Sequence, residues 1–198
     1  MIGRLVSPVA AVLVVVAAFL SPAVAQEPRE LIEELGGEAI RVLANEDASE
    51  EQRQARFEAL FQEGFDVPLV ARIVLGRYWR SATPEQQEEY VDLFYRYIVD
   101  TYTARLNAYS GQTFEVVGQQ PFSDDEVLVK SLIKEPGGPA LKVDWRVLTR
   151  EGEARIVDVI VEGVSMAITH RSEFGSVISK TGNVEALLER LRAQTGQG

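Results

Sequence analysis

The sequence predicts an α+β fold in which helices wrap a curved, four-stranded antiparallel sheet, bulged near Glu162-Gly163, around an apolar cavity. Three observations predict it. Apolar residues recur at helical spacing from residue 27 to about residue 107, then at a period of two after Gly111, so helices precede sheet. The period-two segments are joined by short turn-rich connections, EPGGP at 135–139 and Glu151-Gly152, which makes them antiparallel neighbours in a meander. Residues 155–178, RIVDVIVEGVSMAITHRSEFGSVI, also change parity: Val157, Val159 and Val161 occupy odd positions, then Val164, Met166 and Ile168 even ones. An unbroken strand cannot do this. A β-bulge at Glu162-Gly163 accounts for the extra residue, and a bulge bends the strand that carries it, giving the sheet a concave side.

Taken in order, residues 1–25 hold a basic start at Arg4, an apolar run from Val9 to Leu20, and Ala23-Val24-Ala25, a small-x-small pattern ahead of Gln26. This is the layout of a secretory signal peptide. Residues 26–193 then form one domain, with 194–198 a disordered tail. Residues 27–44 place Leu31, Leu35, Ile40 and Leu43 near helical spacing. Ser49 with Gln52 forms a capping box for a second helix that carries Phe57, Leu60 and Phe61 and stops at Gly64. Asp66 caps a third, with Pro68 in its first turn and Leu69, Val70, Ile73 and Val74 along it to Gly76. Thr83-Pro84-Glu85-Gln86 starts a long helix to about Asn107, on which Tyr90, Phe94, Ile98, Tyr102 and Leu106 recur every four residues beside Tyr97 and Thr101.

The strands follow at 113–117, 126–134, 140–150 and along the bulged segment. Leu141, Val143, Trp145 and Val147 alternate with Lys142, Asp144 and Arg146, an inside-outside pattern. Ser172 or Asn183 caps the closing helices, and 184–193 carries Val184, Leu187, Leu188 and Leu191.

Composition removes several functions. There are 20 basic and 30 acidic residues, a net charge of −10, which disfavours nucleic acid and unaided adhesion to anionic lipid. No cysteine is present, so export brings no disulfide and no thiol chemistry. The single histidine, His170, excludes multi-histidine metal sites, and neither metal nor cofactor is expected. What remains is an apolar cavity. On the sheet side its expected walls are Val127, Val129, Val143, Trp145, Val159, Val161, Val164, Met166 and Ile168; on the helix side they are Val74, Trp79, Phe94, Tyr97, Ile98, Tyr102 and Phe174. The competing reading for each is plain core packing. A small-molecule enzyme using Asp158 or Glu162 as a base beside a phenol is the other alternative; no catalysis is expected. Arg72, Arg77 and Arg80 cluster near the third helix, either to pair with the chain's carboxylates or to dock a partner.

Two stretches resemble the MlaC, or toluene-tolerance auxiliary, family of periplasmic phospholipid-binding proteins. One is Phe65-Asp66 followed by residues 74–83, VLGRYWRSAT; the other runs from Val157-Asp158-Val159 through Glu162-Gly163-Val164-Ser165-Met166 to Arg171-Ser172-Glu173-Phe174. Where the family commonly has Asn-Tyr before the arginine, this chain has Thr169-His170. The resemblance implies a soluble periplasmic carrier whose cavity residues hold phospholipid tails, and which shuttles lipid between an outer-membrane lipoprotein complex and an inner-membrane ABC transporter complex. A hopanoid-associated branch shares the pattern, which leaves the lipid open between the two.

Overall fold

The computed structural model describes residues 27–103 and 109–196. The expected leader and the end of the long helix, with Leu106 and Asn107, lie outside the described residues.

Local sequence signals set most helix boundaries. Helix α1 (Pro28–Ala44) starts on proline and α2 (Glu50–Gly64) on the complete Ser49/Gln52 capping box. Asp66 caps α3 (Val67–Leu75) by accepting the Leu69 amide at 3.0 Å. A 3₁₀ helix, Gly76–Ser81, carries Trp79 and leads to α4 (Pro84–Thr103), whose Thr83/Gln86 pair exchanges both capping hydrogen bonds at 3.2 Å.

The sheet is an open meander of order β1-β2-β3-β4-β5. Its strands are β1 (Thr113–Pro121), β2 (Glu126–Lys134), β3 (Leu141–Arg150), β4 (Glu153–Val161) and the two-residue β5 (Val164–Ser165). Rows of side chains run across one face: Val127, Val147 and Ile156; Val129, Trp145 and Val159; Ser131, Val143 and Val161. Helix α1 covers part of this face, with Leu31 and Ile32 packed among Val116, Val129, Val147, Ala154 and Ile156.

Three expectations are corrected. The sheet has five strands rather than four. Glu162-Gly163 is a two-residue hairpin turn, not a bulge: both residues have positive φ, 49° and 81°, as a primed turn requires. The expected parity change between Val161 and Val164 therefore does not occur within a strand, and a different register shift falls earlier, in β4. Arg146 pairs with Asp158 and Val147 with Ile156, so Val157 is the extra residue, and a second irregularity falls between Val116 and Gly118. Ile156, Val159 and Val161 therefore share the rows of one face across the shift, while Val157 leaves them. Finally, Met166 and Ile168 are not strand residues: Ser165 caps α5 (Met166–Thr181) through the Ile168 amide, well before Ser172. Asn183, one residue before the Val184 N-cap of α6 (Glu185–Gln194), accepts the Ala186 amide on Oδ1 at 2.9 Å, and α6 takes in Gln194, the first residue of the expected tail.

Most buried apolar residues fall into two clusters. The first joins α3, α4, α5 and α6 around Tyr90, Phe94, Phe174, Leu187 and Leu191. The second lies between α1 and the sheet. A single domain usually has one main core with smaller satellite clusters; here the larger cluster belongs to the helix bundle and the smaller to the sheet and α1.

Candidate functional site

The expected wall residues separate into three groups. On the sheet, Val129 and Val143 are buried, whereas Val127, Trp145, Val159 and Val161 are half-buried within the same rows. In the helix bundle, Val74, Phe94, Ile98 and Phe174 are buried core, and Trp79, Tyr97 and Tyr102 pack against that core while keeping exposed surface. The third group leaves the interior: Val164 is 55% and Ile168 65% exposed, and Met166 is half-buried at the start of α5. The turn at Glu162-Gly163 reverses the chain before these residues, so they cannot extend the β4 face.

Polar anchoring fixes the sheet wall. Trp145 spans a row that is otherwise valine, and its indole Nε1 donates to Ser131 Oγ at 2.9 Å, while the Ser131 hydroxyl donates to the Val143 carbonyl at 2.7 Å. Phe114 meets the Trp145 ring edge-on at 6.3 Å. Phe114, Leu35 and Phe65 were not among the expected wall residues, although all three are half-buried beside Trp145 and Val159 in the sheet cluster. Ser131 stands in the apolar alternation Val127-Val129-Ser131-Ile133, and its bonds to Trp145 and Val143 cross to the neighbouring strand.

On the bundle side, aromatic side chains of α4 and α5 converge. Phe94 and Tyr97 meet Phe174 edge-on at 6.4 and 5.5 Å, and Tyr97 and Tyr102 both stand edge-on to the His170 ring. The buried imidazole has Nε2 3.2 Å from the Tyr102 hydroxyl and Nδ1 3.2 Å from Glu173. His170 thus ties α4 to α5. Tyr97 and Phe174 also line a half-open groove of about 460 Å³ between α4, α5 and α6, with Val177, Leu187 and Leu191.

The acids that an enzyme reading would use are engaged in structure. Asp158 is 4% exposed and accepts hydrogen bonds from Ser165 Oγ at 2.6 Å and the Ala167 amide at 3.0 Å, with Arg146 at 3.9 Å. Glu162 Oε1 accepts the Lys142 amide at 2.6 Å. Among the described residues no group of three His, Asp or Glu side chains could hold a metal ion, and no helix is long and apolar enough to cross a membrane.

An open antiparallel meander preceded and followed by helices, with α1 packed on one of its faces and a separate helix-bundle cluster, defines an α+β domain. The family model described as MlaC protein matches residues 33–193, and the chain belongs to the MlaC family. It is 26% identical over 128 residues to the intermembrane phospholipid transport system binding protein MlaC of Haemophilus influenzae, covering 63% of this chain and 59% of that one. It is 25% identical over 180 residues to the toluene tolerance protein ttg2D of Pseudomonas putida, covering 86% and 82%. Its fold matches the structure of a phospholipid-binding protein from Ralstonia solanacearum in complex with a phospholipid, with a TM-score of 0.76 at 22% identity over 87% of this chain and 98% of the other.

Proposed function

We propose that the protein is a periplasmic carrier that encloses phospholipid acyl chains between its sheet and its helix bundle. It passes them between outer- and inner-membrane complexes without chemical change. The observation that carries this reading is the divided core: the half-buried row of Trp145 and Val159, with Val161 beyond it, belongs to one cluster's face, and the half-buried Tyr97 and Tyr102 to the other's. Family membership and the fold shared with a phospholipid complex support it. Energetics require enclosure. Two acyl chains of about 14 methylenes each cost roughly 20 kcal/mol to expose to water at ~0.8 kcal/mol per CH₂. Phenols and one indole among aliphatic side chains offer an oily wall with few hydrogen-bonding points.

Organic extraction and mass spectrometry of freshly purified protein test the reading. Stoichiometric phospholipid is expected, and Val159→Trp or Val161→Trp should lower the lipid content while the protein stays folded, because vacant space accepts volume that a packed core does not. Lipid-free protein whose Trp variants unfold would mean the interior is closed on itself. Recovery of a hopanoid skeleton instead of phospholipid would keep the carrier and change the cargo.

A further inference from the structure

Helix α6 is fastened to α4 by polar ties. Arg192 donates to Glu89 from Nε and Nη2 at 2.6 and 2.9 Å, and Gln86 donates to Glu185 at 3.2 Å. Leu187, Leu188 and Leu191 fix the same helix in the bundle core. Against α5 the packing of α6 is incomplete, and the half-open groove of about 460 Å³ lies there, a volume within the range of small-molecule sites. To this groove α5 presents the short side chains of Ser176, Val177 and Thr181, which leave the space open. Its described lining comes wholly from α4, α5 and α6, which sets it apart from the sheet rows of Trp145, Val159 and Val161.

The lining combines an apolar floor with two cations. Phe174, Val177, Leu187 and Leu191 supply the floor; Lys180, in the last turn of α5, and Arg190, on α6, supply the charge. Lys180 follows Val177 by three residues and Arg190 follows Leu187 by three, so each cation stands beside an apolar lining residue on one helix face. Exposed cations without a carboxylate occur elsewhere on the chain, at Lys142 and Arg150, and solvation accounts for them. Lys180 and Arg190 differ in sharing an apolar groove. The acid in the described lining, Glu173, is already engaged by His170 Nδ1 at 3.2 Å.

We propose that this groove is a second binding site, for a free fatty acid, whose carboxylate pairs with Lys180 and Arg190 while its single acyl chain lies on Phe174, Val177, Leu187 and Leu191. A guanidinium fork matches a carboxylate bidentately, and an ammonium adds a point charge. The floor selects an acyl chain over a small soluble anion, since each buried methylene contributes ~0.8 kcal/mol. A lysophospholipid with a zwitterionic head fits less well, because its ammonium meets two cations and an acid that His170 already holds. The site is independent of the carrier reading.

Isothermal titration of decanoate into the full chain as purified tests it. One equivalent should bind, and decanol, the same chain without the charge, at least about tenfold more weakly. Lys180→Ala/Arg190→Ala should weaken decanoate about tenfold, and Val177→Trp, at a half-buried groove position, should block it. Mass spectrometry should find the phospholipid content unchanged at saturating decanoate. Equal binding of decanol, unchanged binding by folded variants, or displacement of phospholipid by decanoate would overturn the site, and tighter binding of lysophosphatidylethanolamine would overturn its cargo. If the variants fail to fold, amide shifts of the unaltered protein decide: movement at Val177, Lys180 and Arg190 on adding decanoate supports the groove, and movement confined to β2, β3 and β4 overturns it. Failure of the carrier reading shows separately, as protein free of phospholipid that still binds decanoate.

Discussion

The Asp158 carboxylate holds the first turn of α5 from across the chain reversal: its Oδ1 accepts the Ala167 amide at 3.0 Å, nine residues on. The same side chain accepts the Ser165 hydroxyl, and that hydroxyl oxygen in turn accepts the Ile168 amide at 3.1 Å. One buried acid therefore fixes the end of the sheet, the hairpin turn and the helix start together. Removing it leaves the Ala167 amide and the Ser165 hydroxyl without an acceptor, so Asp158→Ala should cost about 2–3 kcal/mol in urea unfolding, and Asp158→Asn less. A loss under about 0.5 kcal/mol would show that water replaces the carboxylate at no penalty.

Tyr90 presents the opposite case. The side chain is fully buried between Phe94 and Phe174, its hydroxyl has no hydrogen-bond partner among the described residues, and burial holds its pKa well above the ordinary value. Tyr90→Phe should raise stability by about 1 kcal/mol, or roughly 2–4 °C in Tm. The pH dependence has a definite sign. The unfolded phenol ionises near pH ~10 while the folded one stays protonated, so this contribution is complete below that pH and is lost as pH rises above it. The variant should show a shallower alkaline decline in thermal scans; an unchanged decline would assign it to other groups.

Adjacent glycines in α1 give a paired prediction. A Cβ at Gly36 would fall inside the Phe114 ring, whereas a Cβ at Gly37 meets nothing within 4 Å. Gly37→Ala should stabilise the helix by about 0.5–1 kcal/mol, and Gly36→Ala should destabilise by about 1–3 kcal/mol because Phe114 is braced against Trp145. Equal effects at the two positions would mean that the ring swings aside freely.

At the hairpin, Gly163 adopts φ 81°. Gly163→Ala should cost about 1–2 kcal/mol, measured by chemical denaturation, and Glu162→Asn should keep the turn while losing the bond to the Lys142 amide. If Gly163→Ala were neutral, the left-handed turn would not be the dominant conformation.

By itself the sequence determined what is local. Ser49/Gln52, Asp66 and Thr83/Gln86 fix helix starts because a capping side chain reaches amides only two or three residues away, and period-two spacing names strands wherever one face is buried. The family resemblance was legible in VLGRYWRSAT and EGVS, which run from the end of α3 to the Thr83 cap and from the hairpin turn to the Ser165 cap. Tertiary structure decided the remainder. Val164, Met166 and Ile168 alternate like a strand, but the Asp158 acceptor nine residues upstream makes a helix start cheaper there than further sheet, and that helix turns Ile168 outward beside Arg171. The register shift falls at Val157 because Arg146 and Val147 on the neighbouring strand set the register. Whether Trp145 and Tyr97 bury themselves in one core or stand as walls of a space between two depends on how α1 and the α3–α6 bundle divide the apolar surface, and the spacing of residues along one helix or strand carries no information about that distance.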